Sequence, residues 1–133
     1  MKHILITLDG NNIAFRFDFC TEIWMGQINE NQKGNKSKNQ KNEKKNQYQA
    51  KITGEILILP KSSPEYICQL IIDKKIDILI CGGIEDEYYD YLKWKKVTIY
   101  DSVIGSYNEA LQNLIRGRLK SNKIFDSNIY KGT

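Results

Sequence analysis

The run Asp77 to Cys81, DILIC, most limits what this chain can become. It is short, almost wholly apolar, and closes on Gly82-Gly83. Before it, Ile67, Cys68, Ile71 and Ile72 share one face of a helix, which Ser62-Ser63-Pro64-Glu65 opens with a serine cap and a first-turn proline. After it, Tyr88, Tyr91 and Leu92 keep helical spacing over Glu85 to Lys93. A strand without polar alternation, set between two amphipathic helices, is covered on both faces and belongs to an α/β sheet. Val97 to Tyr100 supplies a further strand. Ser106-Tyr107-Asn108-Glu109 caps a third helix with the stripe Tyr107, Ala110, Leu111, Leu114 and Ile115, and Gly117 stops it. Right-handed crossovers make the strands at 77–81 and 97–101 parallel.

The first half has another character. His3 to Leu8 reads as a strand, Asp9-Gly10-Asn11-Asn12 as a turn, and Ile13 to Phe15 as a short return strand. Phe19 to Ile28 has two mostly apolar faces, and GEILILP, Gly54 to Pro60, is its hairpin partner. The expected fold is therefore α/β: a mixed sheet with antiparallel hairpins in the first half and α-β-α-β-α in the second. A length of 133 residues suits one domain, placed at 1–119, with a polar, frayed tail over 120–133. Residues 29–51 hold seven lysines against Glu30 and Glu43, a net +5 that leaves the rest at −1 of the overall +4. This stretch reads as a disordered or flexible loop insertion. Tyr48 is its only aromatic and it has no arginine, so it is poorly equipped to contact nucleic acid.

No apolar run approaches the roughly 20 residues of a membrane helix. The opening MKHILITLDG is broken by Asp9 and reads as a first strand rather than a signal peptide. Cys20, Cys68 and Cys81 are an odd count without CxxC spacing, which points to reduced thiols and a cytoplasmic location. If strand one lies parallel to 77–81, the loops Asp9-Gly10, Cys81-Gly82-Gly83 and Asp101-Ser102 gather at a topological switch point, where open α/β sheets bind ligands. Gly82-Gly83 either makes a tight strand-to-helix turn or lets backbone approach a ligand. A phosphate is disfavoured there, because Glu85, Asp86 and Glu87 fill the first helical turn and no GxxxxGK[ST] or GxGxxG exists. Cys81 is either a small core residue or a soft-metal ligand, Cys68 belongs to the core, and Cys20 stays open. His3 is the only histidine, so neither a zinc spacing nor a Ser/His/Asp set can be built. Asp9 and Asp101 raise a metal-dependent nuclease as a lesser alternative.

From Cys81 to Leu111, CGGIEDEYYDYLKWKKVTIYDSVIGSYNEAL resembles the dinitrogenase iron-molybdenum cofactor biosynthesis family of small cluster-binding proteins. The resemblance rests on Gly82-Gly83, the strand Val97 to Tyr100, Gly105, and Glu109-Ala110-Leu111. An earlier part, Ala14-Phe15-Arg16-Phe17-Asp18, is similar to the family's opening segment. It implies a ribonuclease-H-like fold and a non-catalytic carrier, not an enzyme, for an iron-sulfur or iron-molybdenum-type cluster in metallocofactor assembly, a nitrogen-fixation accessory role with a protein partner. The implied site is the rim formed by Cys81, Gly82, Gly83, Arg16, Cys20, Asp9 and Ser102, with Cys81 and Cys20 as metal ligands. The alternative is an interaction or regulatory module of the same fold that has lost the cluster.

Overall fold

The computed structural model describes residues 1–30 and 50–125. Eight strands and three helices follow in the order β1 (Lys2–Asp9), β2 (Asn12–Ile13), β3 (Glu22–Glu30), β4 (Ala50–Ile58), α1 (Pro64–Asp73), β5 (Ile78–Ile80), α2 (Asp86–Trp94), β6 (Thr98–Tyr100), β7 (Ile104–Gly105), α3 (Tyr107–Ile115) and β8 (Ile124–Phe125), with a 3-10 turn at Phe17–Phe19. The main sheet runs β4-β3-β1-β5-β6, and β2 pairs with β1. β3 runs antiparallel to both of its neighbours, β1 and β4, whereas β1, β5 and β6 are parallel. The mixed α/β sheet with three helices is the arrangement that the contrast between the two halves of the sequence anticipates.

Alternation along β1 builds two cores. Ile4, Ile6 and Leu8 face Trp24, Ile28, Ala110 and Leu111, so α3 covers that side. Leu5 faces Ile23, Ile67, Ile71, Leu79 and Leu92, so α1 and α2 cover the other. Cys68 joins this second core, as its helical face requires. Burial on both faces explains why the strand at 77–81 carries no polar alternation.

Three boundaries differ from the sequence reading. Phe17–Phe19 turns as a 3-10 helix that buries Phe17 completely and leaves Phe19 exposed, so β3 begins at Glu22 rather than Phe19. The hairpin of β3 and β4 continues through Asn29–Lys51 and Glu30–Ala50, so both ends of the 29–51 segment are strand; 31–49 lie outside the described residues. The chain past Lys120 is not simply a polar tail. Leu119 is buried, Phe125 packs on the α3 side, and β8 pairs parallel with β7. Residues 126–133 lie outside the described part.

All three helices end alike. A residue with positive φ follows the cap at Lys75, Lys96 and Gly117. The next two amides reach back to Ile72 and Ile71, to Lys93 and Leu92, and to Leu114 and Asn113. This is the double closure of a Schellman motif, in which glycine is favoured because a Cβ is strained there. Only the third helix has the favoured residue. Lys96→Gly is expected to raise unfolding stability by roughly 0.5–1 kcal/mol, and Gly117→Ala to lower it similarly. Urea midpoints at constant slope measure both.

Candidate functional site

The carboxyl ends of β1, β5 and β6 share one edge of the sheet, and residues beyond them meet there. The amide of Gly83 donates to the Phe15 carbonyl at 2.7 Å, and the amide of Phe17 donates back to the Gly83 carbonyl at 2.8 Å. On the other side, the Ser102 amide donates to the Gly82 carbonyl at 2.9 Å, and that of Val103 to Cys81 at 3.1 Å. A Cβ on Gly82 would run into the carbonyl oxygens of Ala14 and Phe15. Gly82 is glycine because two backbones touch there, and the Gly83 amide is already committed. The close approach at this pair is to another stretch of this chain's own backbone, a contact that neither the tight-turn nor the ligand reading specified.

Arg16, Cys20 and Asp9 line an open cleft of about 280 Å³ together with Leu8, Ala14, Phe15, Phe19 and Thr21. The Arg16 guanidinium grips Asp18 through both carboxylate oxygens, at 2.9 and 2.8 Å, and lies 4.8 Å from the centre of the Phe19 ring. The Asp18 hydrogen bond and charge raise the Arg16 pKa further, and Arg16 in turn holds Asp18 below the usual carboxylate range. The pair is partly open to solvent, so it contributes little to stability. Its effect is to point the guanidinium along the rim. Phe15 and Phe19, both about 70% exposed at 71% and 68%, flank it. The sequence reading passed over these rings; the alternation Phe15-Arg16-Phe17-Asp18-Phe19 was their signal.

Both rim cysteines belong to the α1–α2 core, Cys20 at 3% exposure and Cys81 at 0%. Cys20 lines the cleft, its thiol donates to the Glu22 carbonyl at 3.4 Å, and burial pushes its pKa up to about 11. Cys81 is fully buried in the α1–α2 core, and its pKa is driven well above the ordinary value by burial, with Asp101 and Cys20 adding to the effect. As a core side chain Cys81 presents no sulfur to the rim, which corrects its placement as a surface ligand. One register step past the Ile6–Ile80 pair sits Thr7, fully buried, with a hydroxyl that meets no partner among the described residues.

Ser102 and Asp101 lie on the far side of the Cys81–Gly83 segment from the cleft. Ser102 has φ +57, and its hydroxyl donates to Asp101 at 3.3 Å. The Asp101 amide donates to the Ser121 hydroxyl, and its carbonyl accepts from the Asn122 amide. The returning chain thus closes over this end. Asp9 ends β1 and Asp101 follows β6, on opposite sides of β5, and no three His, Cys, Asp or Glu side chains form a metal-binding group among the described residues. No helix among them is long and apolar enough to cross a membrane.

No family model and no curated protein matches the chain. Solved structures do. PH0822 is similar at TM-score 0.64 and 16% identity, with 90% of this chain and 94% of that one covered. A protein of Methanocaldococcus jannaschii provisionally named a dinitrogenase matches at TM-score 0.60 and 18% identity, covering 89% and 91%. A Thermotoga protein provisionally named NifB and placed in the DUF35 family matches at 0.59 and 17%, covering 94% and 97%. At such identities the likeness establishes the fold alone.

Two measurements check the rim. Gly82→Ala is expected to destabilise by about 3 kcal/mol or more through overpacking, whereas Gly83→Ala, whose Cβ would sit 3.5 Å from the Phe15 carbonyl, should change stability by less than about 0.5 kcal/mol. The raised thiol pKa values have a definite sign. Folding favours the protonated Cys20 and Cys68, both near pKa 11, so their contribution is full below the ordinary value of 9.0 and fades as pH climbs through about 11. Stability should fall over that window, less steeply in Cys20→Ala. In the native protein at pH 8, a disulfide reagent should react slowly with all three thiols, and last with Cys81, which has no exposure.

Proposed function

We propose that the chain is a non-catalytic binding protein of the nitrogenase-accessory type, ribonuclease-H-like in topology, that works at the Arg16–Cys20 rim. Its cargo in this reading is an iron-sulfur or iron-molybdenum-type cluster intermediate, passed between proteins of metallocofactor assembly in the cytoplasm. The observation that carries it is Cys20 lining the same open cleft as Arg16 and Asp9, at the edge where open α/β sheets bind ligands. The fold likeness to proteins named dinitrogenase and NifB, together with the resemblance over Cys81 to Leu111, supports the kind of cargo.

The donor set does not suit a resident cluster. Iron-sulfur clusters take about four thiolates, and the cleft offers one thiol. Cargo bound here would keep most of its ligands from elsewhere, which suits transfer better than storage. Cys20 would have to lose its proton, since with a pKa of about 11 fewer than about one thiol in a thousand is ionised at neutral pH. Arg16 would have to leave Asp18 to face an anion.

A second reading, an interaction module without a cluster, draws on specific observations. Cys81 is sealed in the core, the Gly83 amide is occupied, and Glu85, Asp86 and Glu87 stand exposed after Gly83. Acid around a single arginine repels an anionic cargo and suits a basic protein surface. Anaerobic reconstitution with iron and sulfide separates the two. The carrier reading expects bound iron and visible absorption that Cys20→Ala removes and Cys81→Ala, if folded, largely keeps. A colourless, iron-free protein defeats it; a partner retained after both replacements favours the module.

A further inference from the structure

We infer that β4 is a self-complementary edge that pairs antiparallel with β4 of a second copy of this chain. β4 ends the sheet, with β3 as its only neighbour among the described strands. Its pairing with β3 runs unbroken from Ala50 to Ile58, without bulge or proline, so the outward amides and carbonyls form a regular row. Edges of this kind are usually blunted by short length, proline, bulges or inward charge, because an open row is a template for another strand. β4 is long, regular and free of proline and bulges, and its only protective device is charge, at Lys51 and Glu55.

Its side chains say what kind of strand fits. Lys51, Thr53 and Glu55 alternate on one face, all exposed, and are the partners of Asn29, Gln27 and Met25 in β3. Lys51 and Glu55 are the only charges of β4, and Thr53 is midway between them. A two-fold axis through Thr53 therefore sets Lys51 opposite Glu55 of the second copy, Glu55 opposite its Lys51, and threonine opposite threonine. Opposite charges and paired threonines are both favourable cross-strand neighbours. The match is with the strand itself, as an isologous contact requires.

The other face gains as well. Ile52 and Ile56 flank Gly54, where the Trp24 indole occupies the space a Cβ would fill. Ile56 is 49% exposed. In the same register Ile52 lies opposite Gly54 of the second copy and diagonal to its Ile52 and Ile56. Four isoleucines thus close over two glycines, extending the apolar layer around Trp24 across the axis. An interface this narrow is expected to be weak, with dissociation on the order of 10–100 µM.

The test is sedimentation velocity of the full chain from about 10 to 500 µM, with charge reversals. Glu55→Lys and Lys51→Glu each place like charges opposite one another twice, and should raise the dissociation constant by about tenfold. Both residues are exposed, so circular dichroism should show unchanged folding. Mixing the two variants restores both attractive pairs and should yield a heterodimer stronger than either homodimer. A chain that stays monomeric to 500 µM overturns the inference. So does a dimer indifferent to both reversals, or a mixture that associates no better than its components. Cluster loading is irrelevant to every arm, so failure of the carrier reading leaves this result interpretable.

Discussion

The reciprocal pair of hydrogen bonds between Gly83 and the Phe15–Phe17 backbone ties the two halves of the molecule together at the cleft end. β1 and β5 are joined lower down by their parallel ladder, but that ladder covers only Ile4 to Ile6 and Ile78 to Ile80. Past it, strand pairing would normally give way to separate loops. The clamp carries the contact onward, and the absent Cβ of Gly82 lets the two main chains lie close enough to make it. The position of Arg16, the burial of Phe17 and the shape of the cleft all follow from this closure. The same contact removes from service the amide that a glycine pair might have offered to an anion.

Much of this was legible because burial leaves a plain signature. The uninterrupted apolar run before Cys81, the helical spacing of Ile67, Cys68 and Ile71, and the serine at position 106 each have one physical reading, and each element lies where that reading puts it. Ser106 accepts hydrogen bonds from the Asn108 and Glu109 amides, as an N-cap should. The site was harder. Whether Cys81 faces core or rim depends on which side of the sheet continues past the strand end, and periodicity cannot say that for the last residue of a strand. Asp18 as the partner of Arg16 depends on a turn of three residues, too short to leave a pattern. The return of Leu119 to Phe125 was masked by polar neighbours, since two or three apolar contacts suffice to hold a short segment against an existing core.

The candidate site is a balance between chemistry and insulation. A sulfur atom, a cation and two exposed rings converge on one cleft. Each of the polar members is nonetheless restrained, the thiol by burial and the guanidinium by Asp18. A binding event here must release those restraints, so affinity would be modest and exchange easy.

The central position of β1 bears on synthesis. This strand is made well before its parallel neighbour, since the carboxylate that receives the His3 amide hydrogen bond belongs to Asp77, 74 residues later. Its antiparallel neighbour β3 follows closely and can shelter one side, but the parallel side stays open until β5 has been made. Non-local pairing of this kind slows folding and lengthens the time an apolar strand stays uncovered during translation. The growing polypeptide thus depends on holding Ile4, Leu5 and Ile6 away from other nascent chains until its own second half arrives.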